Sequence, residues 1–416
     1  MPFALWGIFV LVYLAMALGR IPGLAVGRTA AAMLGAIAML AVGGISLRDA
    51  VESIDAGTLL LLFALMIFSA QLRAAGLYDA ISRKLAALAE QPRKLLLGVI
   101  LAAAVVSALL ANDIVCLAFT PILCEALLSV RRRPLPYLVA LATASNIGSA
   151  ATIIGNPQNM YIGTVANLAF GRFTLVMLPP VILGLILCWL IVVLVWRSDF
   201  VAGQVESDGS WVSSTTPLPR EFSLEPRRVV FVLMILAAVV GVFLFSPAEG
   251  RIIAALAGAG IVLVSRRRDR ATLYQRVDWE LLLLFIGLFV VNGTMKDRGL
   301  TAKMIDGIGL LHVRLDRPVP LSAAATVMSN IVSNVPAVLL LKPAIPLERR
   351  DLWYVLAYAS TVAGNLTLVG SIANLIVAEQ AARLGVTMDL KNYCKVGVPL
   401  TVMTVVMGTM WIVVVG

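Results

Sequence analysis

Ala111-Asn112-Asp113 sets a carboxylate in the middle of the apolar stretch 95–130, which carries one other acid, Glu125. Inside a bilayer such an acid costs roughly 2.5–3.5 kcal/mol on insertion scales, so its position calls for a task such as carrying a proton or holding a cation. A second polar set follows. Ser145-Asn146-Ile147-Gly148-Ser149 runs through Thr152 into Gly155-Asn156-Pro157-Gln158-Asn159. Gly155 and Pro157 let a helix unwind there, and the freed carbonyls, with Asn and Ser oxygens, can ligate a hard cation. The N-termini of half-helices at such a break favour an anion. Any transported Na+ is expected near Asn112, Asp113 and Asn146; no resident metal or cofactor is expected beyond a coupling Na+ or H+.

The set occurs twice. Leu141, Ala142, Ala144, Ser145, Thr152, Gly155 and Asn159 recur 215 positions later as Leu356, Ala357, Ala359, Ser360, Thr367, Gly370 and Asn374. At an offset of 222, Ser107, Asn112 and Pro121 face Ser329, Asn334 and Pro343. The second copy thus supplies Ser333, Asn334, Gly364, Asn365, Thr367, Gly370, Ser371 and Asn374 as candidate binding residues. It lacks the charge, because Val335 stands where Asp113 does. One half offers a titratable group and the other only neutral ligands. Two blander roles remain open: Asp113 as the cap of a half-helix, and the Asn and Ser residues as hydrogen-bonded glue between helices.

Apolar runs place spans near 3–19, 24–43, 56–75, 136–168 and 173–196, then 228–246, 249–265, 279–294, 351–384 and 395–415. The stretches 95–130 and 319–345 break sharply in the middle and read as re-entrant hairpins. Segments 77–90 and 298–313 precede them as amphipathic helices lying in the interface. The linker 197–227, rich in Gly, Ser, Thr and Pro, joins the halves. The expected fold is an all-α polytopic membrane protein. Two inverted repeats, 1–196 and 228–416, each hold five spans, a hairpin and a broken helix, because an odd number of crossings turns the second copy over.

At 60% hydrophobic and 13% charged residues, with mean hydropathy +0.96, the 416-residue chain reads as a multi-pass membrane protein. The net charge of +10 does not point to nucleic acid, since Lys and Arg cluster at the ends of apolar runs. The side holding 20–28, 73–94, 131–133, 197–228, 266–276 and 383–395 has about twice the Lys and Arg of the other. That bias puts the linker in the cytoplasm and both termini outside, in the inner (plasma) membrane. Residues 1–19 read as an uncleaved first span. Cys116, Cys124, Cys188 and Cys394 show no CxxC spacing and read as small core residues. Lys342 and Glu125, on the outer hairpin arms, are expected to reach an interface, and His312 to lie on an interfacial helix.

These motifs resemble the ion transporter superfamily: divalent anion/sodium symporters, citrate transporters, arsenical efflux permeases and certain sodium/proton antiporters. Ala111-Asn112-Asp113 with Thr120-Pro121, and Ser333-Asn334-Val335-Pro336, resemble the arsenite permease and antiporter branch. Gly155-Asn156-Pro157-Gln158-Asn159 is similar to bacterial anion permeases. The resemblance implies the hairpins, the discontinuous helices and elevator-type movement against a scaffold that dimerises in several members. The carboxylate symporters carry Ser-Asn-Thr at both hairpin tips; here neither threonine is present, which argues against dicarboxylates.

The leading expectation is an ion-coupled secondary transporter of a small inorganic or organic anion or oxyanion, with Asp113 as the coupling group. Arsenite or antimonite efflux, with a neutral metalloid hydroxide as cargo, and sodium/proton antiport are the alternatives. A channel needs neither a coupling carboxylate nor opposed broken helices. An enzyme is not expected, since no HExxH, GxSxG or Walker-type motif stands out. The expected partners are the small solute, the lipid bilayer and a second copy of the chain.

Overall fold

Proline and short polar side chains decide where the helices begin. The computed structural model describes residues 2–18, 27–110, 112–200, 224–264, 275, 277–310 and 314–416. His312 and most of the linker lie outside the described residues, and every element in the described part is helical. Pro92, Pro157, Pro226 and Pro318 each open a helix, where a missing N–H costs nothing. Asp55 accepts from the Thr58 N–H at 2.8 Å and Asp278 from the Leu281 N–H at 2.9 Å, capping corresponding helices of the two halves.

The first half contains α1 (Pro2–Leu18), α2 (Arg28–Ala41), α3 (Leu47–Ser53), α4 (Ala56–Ala74) and α5 (Leu77–Ala86). The hairpin α6 (Pro92–Leu109) and α7 (Asn112–Ser129) comes next, then the broken pair α8 (Leu135–Ser149) and α9 (Pro157–Val165), then α10 (Phe170–Val195). The second half runs α11 (Pro226–Phe245), α12 (Ala248–Val264), α13 (Trp279–Asp297) and α14 (Leu300–Leu310). Its hairpin is α15 (Pro318–Val332) and α16 (Asn334–Leu341). Its broken pair is α17 (Arg350–Val362) and α18 (Ile372–Ala382), followed by α19 (Leu390–Val415). Spans expected at 136–168 and 351–384 are thus interrupted, at 150–156 and 363–371. The short helix α3 was not expected from sequence; seven residues with Arg48, Asp49 and Glu52 on them do not resemble a span.

Among the described residues, seven helices are long and apolar enough to cross a membrane. Packing repeats with the element order: α2 lies on α13 while its counterpart α12 lies on α4, and the last spans α10 and α19 pair. Each hairpin's first arm runs along the broken helix of its own half, α6 on α8 and α15 on α17. The second half-helix of each break crosses to the other half's hairpin, α18 onto α7 and α9 onto α16. α8 is buried along its whole length, whereas α10 exposes Leu175, Ile182, Leu183, Ile186, Leu190 and Leu194. A helix apolar on all faces belongs at the centre, and an exposed leucine stripe belongs against lipid. The broken helices therefore form the middle of the molecule, where unwound backbone can be satisfied by protein.

Candidate functional site

Three broken elements meet at one buried amide. Asn146, 2% exposed, donates from Nδ2 to Asn365 Oδ1 at 2.9 Å and Asn374 Oδ1 at 3.1 Å. Its Oδ1 accepts from Asn112 Nδ2 at 3.2 Å and from Ser371 Oγ at 3.0 Å. A hairpin tip, the first broken helix and both sides of the second break are joined through a single side chain. Asn365 Nδ2 continues to the Thr143 carbonyl at 3.2 Å, and Ser107 and Ser145 hydroxyls pair at 2.9 Å beside the tip.

The duplicated asparagines do the same work in each half. Asn159 Nδ2 donates to the Ser149 and Thr152 carbonyls at 3.4 and 3.2 Å, and Asn374 Nδ2 to those of Gly364 and Thr367 at 2.7 and 3.2 Å. Positions 149 and 364, like 152 and 367, are 215 apart. Each asparagine thereby satisfies carbonyls freed where the helix unwinds. Asn156 Nδ2 reaches Thr361 Oγ1 at 3.2 Å, as Ser371 reaches Asn146, and Thr361 donates to Asn159 Oδ1 at 3.3 Å, as Asn146 does to Asn374. Thr361 occupies the place of Asn146 in the second half.

That exchange leaves one amide without its counterpart's bond. Asn112 Nδ2 is held by Asn146, whereas Asn334 Oδ1 is buried and has no hydrogen-bond partner among the described residues. Gly364, where a Cβ would lie 3.5 Å from Asn146 Nδ2 and 3.6 Å from Asn334 Nδ2, keeps the space between them open. Ser333, at this second tip, has φ +76°, a backbone region that a side chain enters at a cost of order 1–3 kcal/mol. Asp113 lies in the first turn of α7, where the helix dipole favours a negative charge. It has no hydrogen bond or ion pair to another described residue.

Residues 10–348 match the citrate transporter family. The chain belongs to that family. The silicon efflux transporter LSI3 of Oryza sativa subsp. japonica is 31% identical, with 93% of each chain covered. A Dictyostelium discoideum chain named for the transporter arsB is 28% identical over 94% of this chain and 88% of its own. A 46 kDa membrane protein of Mycobacterium leprae is 27% identical over 97% and 96%. The Alcanivorax borkumensis YdaH transporter shares the fold at TM-score 0.60 and 14% identity, with 99% and 96% of the two chains covered. MtrF of Neisseria gonorrhoeae does so at 0.59 and 12%, with 98% and 93% covered. Citrate transporter family membership and the apolar helices make this a multi-pass membrane transporter, and its relatives are transporters rather than enzymes.

In this family member the residues expected from sequence divide by position. Asn112, Asn146, Asn334, Asn365, Ser371, Asn374 and the Gly364 backbone converge; Ser145 bonds the Asn112 carbonyl at 3.3 Å. Asn156, Asn159, Thr152 and Thr367 hold the breaks, Thr152 through the Ala108 carbonyl and Thr367 through Asn330 Oδ1 at 3.0 Å. Gly370 leaves room for Asn330, and Gly148 and Gly155 allow close backbone approach. A Cβ on Gly148 would collide with the backbone of Ala104, and one on Gly155 with the Ser149 carbonyl. Gly148→Ala must push α6 from α8, at a cost of about 1–3 kcal/mol; reduced thermal stability of the purified variant checks this. Thr361 and Asn330 were missed from sequence. Both sit at repeat offsets, 215 after Asn146 and 222 after Ala108, but their types differ from their counterparts'.

Lys342 has a partner that its sequence position does not show. It is half-buried, and Nζ donates to Tyr161 Oη at 2.8 Å. The pair lines a cavity of about 1000 Å³ whose walls carry Asp49, Glu52, Asp55 and Asp297 against Lys296 and Lys342.

Proposed function

We infer that this protein exports a small metalloid oxyacid as its uncharged hydroxide (the arsenite, antimonite and silicic acid class), driven by proton entry through Asp113. The observation that carries this reading is the lone acceptor at Asn334 Oδ1 in a junction of neutral amides and hydroxyls. A buried carbonyl oxygen asks for a donor, and a polyhydroxide brings O–H groups where an oxyanion brings further acceptors. The bonds that build the junction come from amides and hydroxyls, with no Lys or Arg among them to neutralise an anion. One carboxylate suffices for a proton, and the second half repeats none. The names of the rice and Dictyostelium relatives support this class. The inverted repeats 1–196 and 228–416, elevator-type movement, inner-membrane location and a homodimer belong to the same proposal.

The test is thermal stabilisation of purified protein by arsenite, antimonite, silicic acid, citrate, succinate, sulfate and phosphate, with and without sodium. A ligand that binds the folded state raises its stability by mass action. The uncharged hydroxides should shift the melting point and the anions should not; a sodium-enhanced shift with an anion alone would return the reading to anion symport. Asn334→Ala should weaken binding on the order of tenfold, the loss of one buried hydrogen bond to ligand. An unchanged Kd in the folded variant removes Asn334 from the site.

A further inference from the structure

The two halves share an element order but not a conformation. In the first, the hairpin arm Asn112–Ser129 packs directly against α5. In the second, Leu339 and Leu340 of the corresponding arm face Thr301 and Met304 of α14 across the cavity. If the second half took the first half's arrangement, the cavity would close. Lys342 has no counterpart in this respect, because position 120, at the repeat offset of 222, is a threonine that bonds its own helix at the Cys116 carbonyl.

We propose that Lys342 is an electrostatic latch that exchanges Tyr161 for the Asp55 carboxylate when this cavity closes, and so sets the balance between the open and closed states. The inference rests on the alternating movement in the proposed function, not on the identity of the cargo. Lys342 ends the hairpin arm and Tyr161 sits on the half-helix α9, while Asp55 caps α4, which packs on α9 and lines the same cavity. Tyr161 is buried and packs against Phe289 of α13 at 5.3 Å between ring centroids, so the amine's present partner already lies at the boundary between the moving and static parts. In the open state water in the cavity screens the lysine, and a neutral hydroxyl is partner enough. Closing removes that water, strengthens every charge interaction and leaves an unpaired ammonium costly. Asp55 lines the same cavity as Tyr161 and Lys342. Lys296 flanks the same cavity and opposes the lysine's approach, which leaves a carboxylate as the required partner.

The experiment follows alkylation of Thr301→Cys by a membrane-impermeant maleimide, in a background without the four native cysteines and with no substrate present. Lys342→Met and Asp55→Asn should each raise the rate on the order of threefold by depopulating the closed state. Lys342→Asp should raise it further, and the exchanged pair Asp55→Lys with Lys342→Asp should bring it back toward the parent. A lysine variant that does not purify as a monodisperse protein leaves Asp55→Asn to carry the test. Unchanged rates in the folded single variants, or an exchanged pair as reactive as Lys342→Asp alone, overturn the latch. Because the readout needs no cargo, its failure is separable from failure of the metalloid reading.

Discussion

Asp113→Asn should abolish proton-driven transport while leaving the protein folded in the membrane. The carboxylate is the only titratable group at either hairpin tip, and its counterpart in the second half is Val335. It makes no hydrogen bond or ion pair to another described residue, so its amide replacement removes no structural contact. The substitution also removes an intramembrane acid whose insertion costs roughly 2.5–3.5 kcal/mol. Stability should therefore hold or rise. In proteoliposomes with an imposed pH gradient, the parent should move arsenite against its concentration and the variant should stop at equilibrium. Exchange of arsenite across the membrane should persist, because the amide junction around Asn146 is intact. A variant that still concentrates its cargo would make Asp113 structural. Full activity under a sodium gradient at uniform pH would assign the coupling to sodium.

The architecture was legible in sequence wherever polarity interrupts an apolar run. Asn112-Asp113 and Ser333-Asn334 mark the two tips, and Gly155-Asn156-Pro157 marks the first break, because a bilayer leaves few other places for such residues. The pairing of Asn159 with Asn374 was visible as an identity at a fixed offset, and the structure gives each the equivalent carbonyls of its own half to hold. Two things escaped. Matching identical types finds duplicated function only where both copies carry the same residue, so Thr361 in the place of Asn146 was invisible, although amide and hydroxyl each both donate and accept. The second was the setting of Lys342. A lysine at the end of a hairpin arm ordinarily reaches water by its long stem, and nothing in the sequence shows that Tyr161, 181 positions away, lies against it. Long-range pairing of this kind is decided by how the two halves pack.

Asn146→Ala should be the most damaging single change in the junction, and Asn146→Thr should be markedly milder. The alanine removes a donor from Asn365 and Asn374 and an acceptor from Asn112 and Ser371. Leaving a buried polar group unmet costs about 1–3 kcal/mol, but hydrogen bonds within membranes average nearer 0.6 kcal/mol. Because Asn365 and Asn374 keep bonds through their own Nδ2 groups, the net loss should lie at roughly 2–4 kcal/mol. Threonine is the informative alternative because the molecule already uses it. Thr361 accepts from Asn156 and donates to Asn159, the two links corresponding to Ser371–Asn146 and Asn146–Asn374. A threonine at 146 can keep both and gives up the bonds to Asn112 and Asn365. Thermal denaturation should therefore rank parent above Asn146→Thr above Asn146→Ala. If alanine and threonine lose equal stability, the two halves are not using interchangeable hydrogen bonds, and position 146 depends on the shape of its amide. If threonine keeps stability but loses cargo binding, the freed Asn112 and Asn365 amides are implicated, since their bonds to Asn146 are the contacts that threonine cannot replace.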